Sequence, residues 1–228
     1  YSNQGALERR ALAGTYTPGE GSDVRLYSVH LDYEDLDVRR AQSRQTAMHA
    51  LVYADEPWGV FVAGDFNALA ADDAVQDFGS AGFARLSAAS DAGGTEIDHV
   101  FAPGPANVEV VESRLLFDGS SEPEVSDHPG VLVRLRRGEP TPAVSTRFVA
   151  SYDAGLGHGL ALRGDTSPLG WELGWPAANT ASNGWECRFL SWPSGTLTYK
   201  WLADDVTWEA GDDHLLDAGS TGEVAPAF

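Results

Sequence analysis

Asp65 and Asn67 stand two positions apart in Gly64-Asp65-Phe66-Asn67, directly after the apolar run Val60-Phe61-Val62-Ala63. β-Branched, aromatic and small apolar residues ending in glycine predict a buried strand that stops at a surface. Side chains alternate along a strand, so Asp65 and Asn67 share one side while Phe66 turns to the other. A carboxylate beside an amide suits a polar reaction centre, although the same residue types also make ordinary turns. Three further groups border apolar runs: Val29-His30-Leu31-Asp32, Ile97-Asp98-His99 and Ser126-Asp127-His128-Pro129. On one sheet edge they would assemble a general base, a carboxylate to orient it, and oxygen ligands for a hard cation. Phosphoester hydrolysis needs a positioned water, a group that takes its proton, and cationic or donor groups facing the phosphoryl oxygens. Taken singly the signals are weaker: Ser-Asp-His is a common tripeptide, and His30 reads equally as a satisfied strand histidine.

The elements that must position these residues follow from periodicity. Strands are expected at 11–16 and 24–30, joined as a hairpin through Thr17-Pro18-Gly19-Glu20-Gly21. From Leu36 to Tyr53 the residues Leu36, Ala41, Met48, Leu51 and Val52 recur among Arg and Gln without Gly or Pro. That pattern predicts an amphipathic helix with Asp35 or Asp37 near its start. Pro57-Trp58-Gly59 breaks the chain before the strand that carries Asp65. A short helix over 72–83, a loop over 90–95, and strands at 96–102, 108–117 and 130–136 complete this half. Arg137-Gly138-Glu139-Pro140-Thr141-Pro142 reads as a short, stiff linker. Beyond it, strands at 145–152, 159–163, 185–190, 196–202 and 205–208 are separated by turn residues, with no helical period. That spacing predicts a β-sandwich.

Composition narrows the partners. The 228 residues carry a formal net charge of −19. Residues 1–137 hold 11 Lys+Arg against 22 Asp+Glu, and 138–228 hold 4 against 12. Neither half offers a basic footprint for duplex nucleic acid. Acidity leaves room for a small phosphorylated substrate held through a metal ion. The single cysteine, Cys187, excludes an internal disulfide framework. No apolar run reaches membrane-spanning length, and no signal peptide is visible after Tyr1.

The stretches "RLYSVHLD", "VFVAGDFNA", "EIDHVFA" and "SDHPGVLVRL", spread from about Leu7 to Leu135, resemble the endonuclease/exonuclease/phosphatase superfamily of metal-dependent phosphoesterases. The resemblance implies two packed β-sheets flanked by helices and a Mg²⁺ (or Mn²⁺) cofactor. It implies His128 as the base-like histidine at the phosphate, oriented by Asp98, and Asp127 as a metal-side carboxylate. Asp65 would activate the attacking water or protonate the leaving group, and Asn67 and His30 would donate hydrogen bonds to the phosphoryl oxygens. One departure stands out. The family draws an Asn and a metal-binding Glu from an N-terminal half that this sequence does not match, and Glu8 is not in the expected context. The sequence is therefore expected to be a fragment of a longer chain, catalytically incomplete alone and with an exposed sheet face.

Residues Thr146 to Phe228 carry a second pattern, in "LALRGDTSPLGWELG", "GWECRFL", "LTYKWL" and "DVTWEAGDDH". It resembles starch-binding carbohydrate-binding modules of the glucoamylase type, which are immunoglobulin-like sandwiches. In such modules tryptophans stack on sugar faces while amide, carboxylate and ammonium groups meet hydroxyls. The carried-over positions are Trp171, Lys200 (the only lysine in the chain) and Trp208. The usual Leu-Gly-Asn-Trp is shortened to Leu-Gly-Trp, so Trp175 competes with Trp171. Asp212 or Asp213 replaces an asparagine. Trp185, on the alternating Trp185-Glu186-Cys187-Arg188-Phe189, is expected in the core.

Together these readings predict an α+β chain. A partial phosphoesterase domain over 1–137 is followed by a linker at 138–144 and an all-β, immunoglobulin-like sandwich over 145–228. The expected activity is Mg²⁺-dependent phosphomonoester or phosphodiester hydrolysis of a phosphorylated small molecule or polymer, with α-glucan as a second ligand. A nuclease of the same superfamily and a non-catalytic carbohydrate-binding or scaffold protein are the alternatives. An appended carbohydrate module is commoner on exported proteins, which points to an extracellular or cell-envelope location.

Overall fold

Strand alternation and helix capping build the N-terminal half around one crossover. The chain runs β1 (Leu12–Tyr16), β2 (Val24–His30), α1 (Leu36–Leu51) and β3 (Val60–Asp65). β1 lies antiparallel to β2, and β3 returns parallel to β2, so α1 is the crossover helix of a βαβ unit. Asp35 caps α1, its carboxylate accepting from the N–H groups of Asp37 at 2.9 Å and Val38 at 3.0 Å. α2 (Asp73–Ala81), β4 (Phe83–Arg85) and β5 (Asp98–Pro103) follow, giving a five-stranded sheet in the order β1-β2-β3-β5-β4. β6 (Val108–Leu116) and β7 (Gly130–Arg137) form a separate antiparallel pair. The structure is a computed structural model, and it describes residues 11–17, 23–55, 59–88, 95–104, 108–120, 122–138, 144–190, 192 and 194–228. Glu8, most of the hairpin turn at 17–21, most of the 90–95 loop and most of the expected linker lie outside the described residues.

The C-terminal half contains only strands among its described residues: β8 (Ser145–Ser151), β9 (Leu160–Gly164), β10 (Trp175–Pro176), β11 (Ala178–Ala181), β12 (Gly184–Leu190), β13 (Thr196–Ala203), β14 (Thr207–Trp208), β15 (His214–Asp217) and β16 (Thr221–Val224). They make two sheets. One has the order β10-β9-β13-β14 with β15 also on β13, and the other β11-β12-β8-β16 with β16 parallel to β8. Aromatic side chains interlock between them, Phe148 against Tyr199 at 4.8 Å and Trp175 against Phe189 at 5.1 Å between ring centroids. β4, β10, β11, β15 and β16 are absent from the periodicity reading, because two to four residues carry too little alternation to register.

The helix at 36–51 departs from its expected amphipathic character. Leu36, counted among its apolar residues, is 70% exposed, whereas Arg39, Gln42, Ser43, Arg44 and Thr46 are buried with Ala47, Met48, Ala50 and Leu51. The reason is tertiary. α2 covers one flank of α1, and β10, β11 and β12 of the C-terminal half cover another. One continuous core joins Met48 and Leu51 to Trp175, Cys187 and Phe189. The buried polar groups are tolerated because they are hydrogen-bonded: Ser43 Oγ donates to the carbonyl of Ala74, and Thr46 Oγ1 to that of Gln42 at 2.8 Å. On the opposite face of the sheet, Leu12 and Leu26 are exposed beside Phe61 in a shallow apolar depression.

Candidate active site and candidate sugar platform

Three adjacent strands end on one row. In the pairing of β2 with β3, His30 is opposite Asp65, and in that of β3 with β5, Asp65 is opposite Asp98. Cross-strand partners project to the same side of a sheet, so an imidazole and two carboxylates stand side by side. His30 Nε2 lies 3.4 Å from Asp65 Oδ2. Gly64 makes this register possible. Its φ is +138°, and a Cβ there would collide with the backbone of Val29, its partner on β2.

His128 arrives from the turn before β7, which packs on β5. Its Nδ1 is 3.4 Å from Asp98 Oδ2, and its Nε2 is 3.9 Å from Asp65 Oδ2 and 3.8 Å from Asp127 Oδ1. Nδ1 is buried and close to the Asp98 carboxylate without being aligned as a hydrogen bond. Burial pushes the Asp98 carboxyl above its ordinary range; the neighbouring His128 pulls it back, and the like charge of Asp65 adds to the rise. The structure thus brings together His30, Asp65, Asp98 and His128, with Asp127 at the rim, its side chain 93% exposed.

Asn67 follows in a left-handed conformation, φ +48°, its N–H donating to Asp65 Oδ1 at 2.7 Å in an Asx turn. Its side-chain Nδ2 donates to the carbonyl of Leu31 at 2.9 Å, which ties β3 to the end of β2. His99, next to Asp98, points the other way. It is buried against Phe66, with Nε2 2.8 Å from the carbonyl oxygen of Ala68.

A divalent hard cation takes about six oxygen ligands. Among the described residues no group of three or more His, Cys, Asp or Glu side chains converges in a manner that holds a metal. Asp127 is a single exposed carboxylate. The described residues therefore do not by themselves fit a Mg²⁺ or Mn²⁺ site.

On the C-terminal half, Trp171, Lys200, Trp208 and Asp213 line a shallow depression of ≈ 320 Å³. The two indole rings lie 6.0 Å apart at 48°, exposed by 37% and 42%. Lys200 Nζ donates to the carbonyl of Gly211 at 2.7 Å and meets Asp213 Oδ1 at 3.3 Å. The Arg163 guanidinium sits 5.4 Å from the Trp208 ring and donates through its NH1 to the carbonyl of Trp171 at 2.9 Å, bracing both rings. Trp175 does not belong to this surface. It is fully buried, with Nε1 donating to the carbonyl of Pro168 at 3.0 Å, so a sugar has no access to its face. The shortened Leu-Gly-Trp places Trp171 at the surface and sends Trp175 into the core. Trp185 is likewise buried, as its alternating context predicts.

Residue types alone concealed other contributors. Gly64 reads as a strand end, and its close approach to Val29 becomes visible only in the pairing. Arg39 and Gln42 read as the solvated face of a helix, yet they hold the loop after His30: Gln42 Oε1 accepts from the N–H of Asp32 at 2.8 Å. A sequence signal existed only in the unusual density of polar residues on a helix flanked by two strands.

A sequence profile of the endonuclease/exonuclease/phosphatase family matches residues 5–128. No curated protein matches the chain. Among solved structures, an endonuclease/exonuclease/phosphatase from Beutenbergia cavernae DSM 12333 is 20% identical, covering 93% of this chain and 68% of that one, with a TM-score of 0.48. The human Nocturnin catalytic domain with a bound sulfate anion is 18% identical over 57% of this chain and 53% of that one, TM-score 0.46. A family 15 glycoside hydrolase glucoamylase from Hypocrea jecorina is 15% identical over 39% and 18%, TM-score 0.33. The chain thus spans about half of the Nocturnin domain and under a fifth of the glucoamylase. The profile covers more than half of the chain and ends on the histidine that faces Asp98, and on that match the chain belongs to the endonuclease/exonuclease/phosphatase family.

Proposed function

We propose that the row His30–Asp65–Asp98, closed by His128, is the hydrolytic centre of a phosphoesterase. Members of the family are metal-dependent phosphoesterases. The observation that carries the reading is the register of three strands, which places an imidazole and two carboxylates in line, with a second imidazole 3.4 Å from Asp98. Asp98 stands beside Nδ1 of His128, and Nε2 is turned toward the space beside Asp65. Asp65, 3.4 Å from one imidazole and 3.9 Å from the other, is the group that takes the proton of an attacking water or returns it to the leaving oxygen. His30 and His128 face the phosphoryl oxygens as donors. Asn67 contributes its remaining amide hydrogen and fixes the end of β2 through Leu31.

The C-terminal half has the character of an immunoglobulin-like starch-binding module. Trp171 and Trp208 form a stacking surface for glucose rings, and Lys200 and Asp213 meet hydroxyls. The combination favours a phosphorylated glucan or another phosphorylated polymer presented on a glucan surface, outside the cell or at its envelope. The net charge of −19 weighs against a nuclease, since polyanion binding is driven by phosphate neutralisation. No helix among the described residues is long and apolar enough to cross a membrane.

The test is hydrolysis of p-nitrophenyl phosphate and bis(p-nitrophenyl) phosphate, with and without Mg²⁺ or Mn²⁺. It compares this chain, an upstream-extended chain and the extended chain carrying Asp65→Ala. Turnover abolished by the substitution supports the reading. A folded extended chain silent on both esters, but binding amylose, overturns it in favour of a carbohydrate-binding protein.

A further inference from the structure

Helix α1 touches both halves, and the buried polar side chains on it and against it sort into two sets. One set grips the C-terminal half. The guanidinium of Arg44 lies 4.6 Å from the Trp175 ring, and its NH1 donates to the carbonyls of Leu173 at 3.0 Å and Gly174 at 3.1 Å. Its Nε donates to Asp77 on α2 at 2.7 Å. At the other end of the helix, Arg188 of β12 donates to both oxygens of Asp55, at 2.7 and 2.8 Å, and to the carbonyl of Leu51 at 3.4 Å. A cation at a helix C-terminus also complements the exposed carbonyls there.

The second set grips the loop that follows His30. Arg39 donates from Nε to the carbonyl of Asp32 at 2.6 Å and from NH2 to that of Tyr33 at 2.7 Å. Gln42 accepts the Asp32 N–H. Within that loop the Leu31 N–H donates to the carbonyl of Asp65 at 2.9 Å, and the Leu31 carbonyl receives the Asn67 amide. Arg39, Gln42, Arg44 and Arg188 are all buried. Side chains so costly to bury hold their geometry only while every partner stays in place.

We infer that α1 is the rigid link through which the C-terminal half positions the catalytic loop. Arg44 and Arg188 act as positioning residues on one side of the helix, Arg39 and Gln42 on the other, and His30 and Asn67 are what they hold. A helix couples the side chains along it because one hydrogen-bonded ladder fixes their spacing. The C-terminal half thereby contributes to the order of the phosphoester centre as well as to ligand binding. The inference rests on the assignment of His30 and Asn67 to that centre, but its readouts are positional and need no turnover.

The experiment uses the full chain and its Arg44→Lys, Arg188→Lys, Gln42→Met and Gln42→Glu variants, with Leu215→Ala as a control. It measures amide hydrogen exchange over residues 31–35 and the NMR resonances of the His30 ring. Arg44→Lys keeps the charge but loses the fork to Leu173 and Gly174. It is expected to speed exchange at Asp32 roughly tenfold and to shift the His30 resonances, although residue 44 touches neither. Gln42→Met is expected to do the same, Gln42→Glu to keep the wild-type pattern, and Leu215→Ala, at an exposed position of β15, to change nothing. If Arg44→Lys does not fold, Arg188→Lys carries the test with the same expected result. A folded variant at 44 or 188 that loosens residues 173–176 or 51–55 while leaving Asp32 and His30 unchanged overturns the inference. Loss of phosphoesterase activity with these readouts unmoved would instead count against the function proposed above.

Discussion

His128, from the turn before β7, brings its imidazole Nδ1 to 3.4 Å from the carboxylate Oδ2 of Asp98 at the start of β5. The carboxylate stands beside Nδ1 without an aligned hydrogen bond, and in this ring orientation Nε2 turns toward Asp65 and Asp127. Because burial has raised the Asp98 carboxyl, the pair spends stability to hold that orientation.

Asp98→Asn separates these two contributions. It is expected to lower hydrolysis by about 10²–10³-fold, the range for a displaced donor to the developing oxyanion. Its effect on stability has the opposite sign. With the folded pKa above the unfolded one, Asp98 contributes least stability when ionised, and that contribution is lost as pH rises through the folded pKa. Asparagine removes the loss. Urea unfolding from pH 4 to 8 should show the variant gaining on wild type as pH rises; a difference that does not change with pH would contradict the assigned cause.

Gly64→Ala tests the register. A methyl group at φ +138° meets the Val29 backbone, so β2 and β3 must separate at the row that carries His30 and Asp65. The expected cost is about 2–4 kcal/mol of unfolding free energy, combining strain and overpacking. Chemical denaturation gives the value, and unchanged stability would mean that the close approach is not maintained in solution.

Three tryptophans distinguish surface from core. Trp171→Ala and Trp208→Ala should abolish retention on amylose while leaving the melting temperature within a degree or two, because both rings are already exposed. Trp175→Ala should cost about 3–5 kcal/mol through loss of a fully buried ring. Affinity electrophoresis beside thermal unfolding reads both effects. Loss of glucan binding only on removal of Trp175, in a protein that remains folded, would reverse the assignment.

Asp77 anchors two guanidinium groups, accepting from Arg40 Nε at 2.7 Å and Arg44 Nε at 2.7 Å with its side chain 8% exposed. Asp77→Ala leaves Arg44 buried without its carboxylate. Removing one member of a buried pair costs about 3–5 kcal/mol. The unfolding transition should move down as one step for both halves, since α1 belongs to both cores. Two separate transitions, with only the first displaced, would show that the halves unfold independently.

Most strands and both helices could be read from periodicity, because Val24–His30 and Gly184–Leu190 alternate and α1 has neither Gly nor Pro inside it. His30, Asp65, Asp98 and His128 were legible as candidates because each borders a strand end. The polar burial on α1 was not legible. Arg39, Gln42 and Arg44 have the chemistry of a solvated helix face, and only the arrival of a second layer turns that face inward. The same holds for Trp171 and Trp175: residue type and local motif left the two in competition, and packing of β10 against β12 buried one of them.

The amino-acid sequence by itself determined the family, the longer elements and their order, and the residues able to do chemistry, since these rest on local pattern and motif. Only the tertiary structure decided which of those residues meet, which tryptophan reaches solvent, and that one helix serves two cores. Those outcomes depend on contacts between segments far apart in the chain, such as Arg44 with Leu173 and His128 with Asp98, and local periodicity carries no information about them.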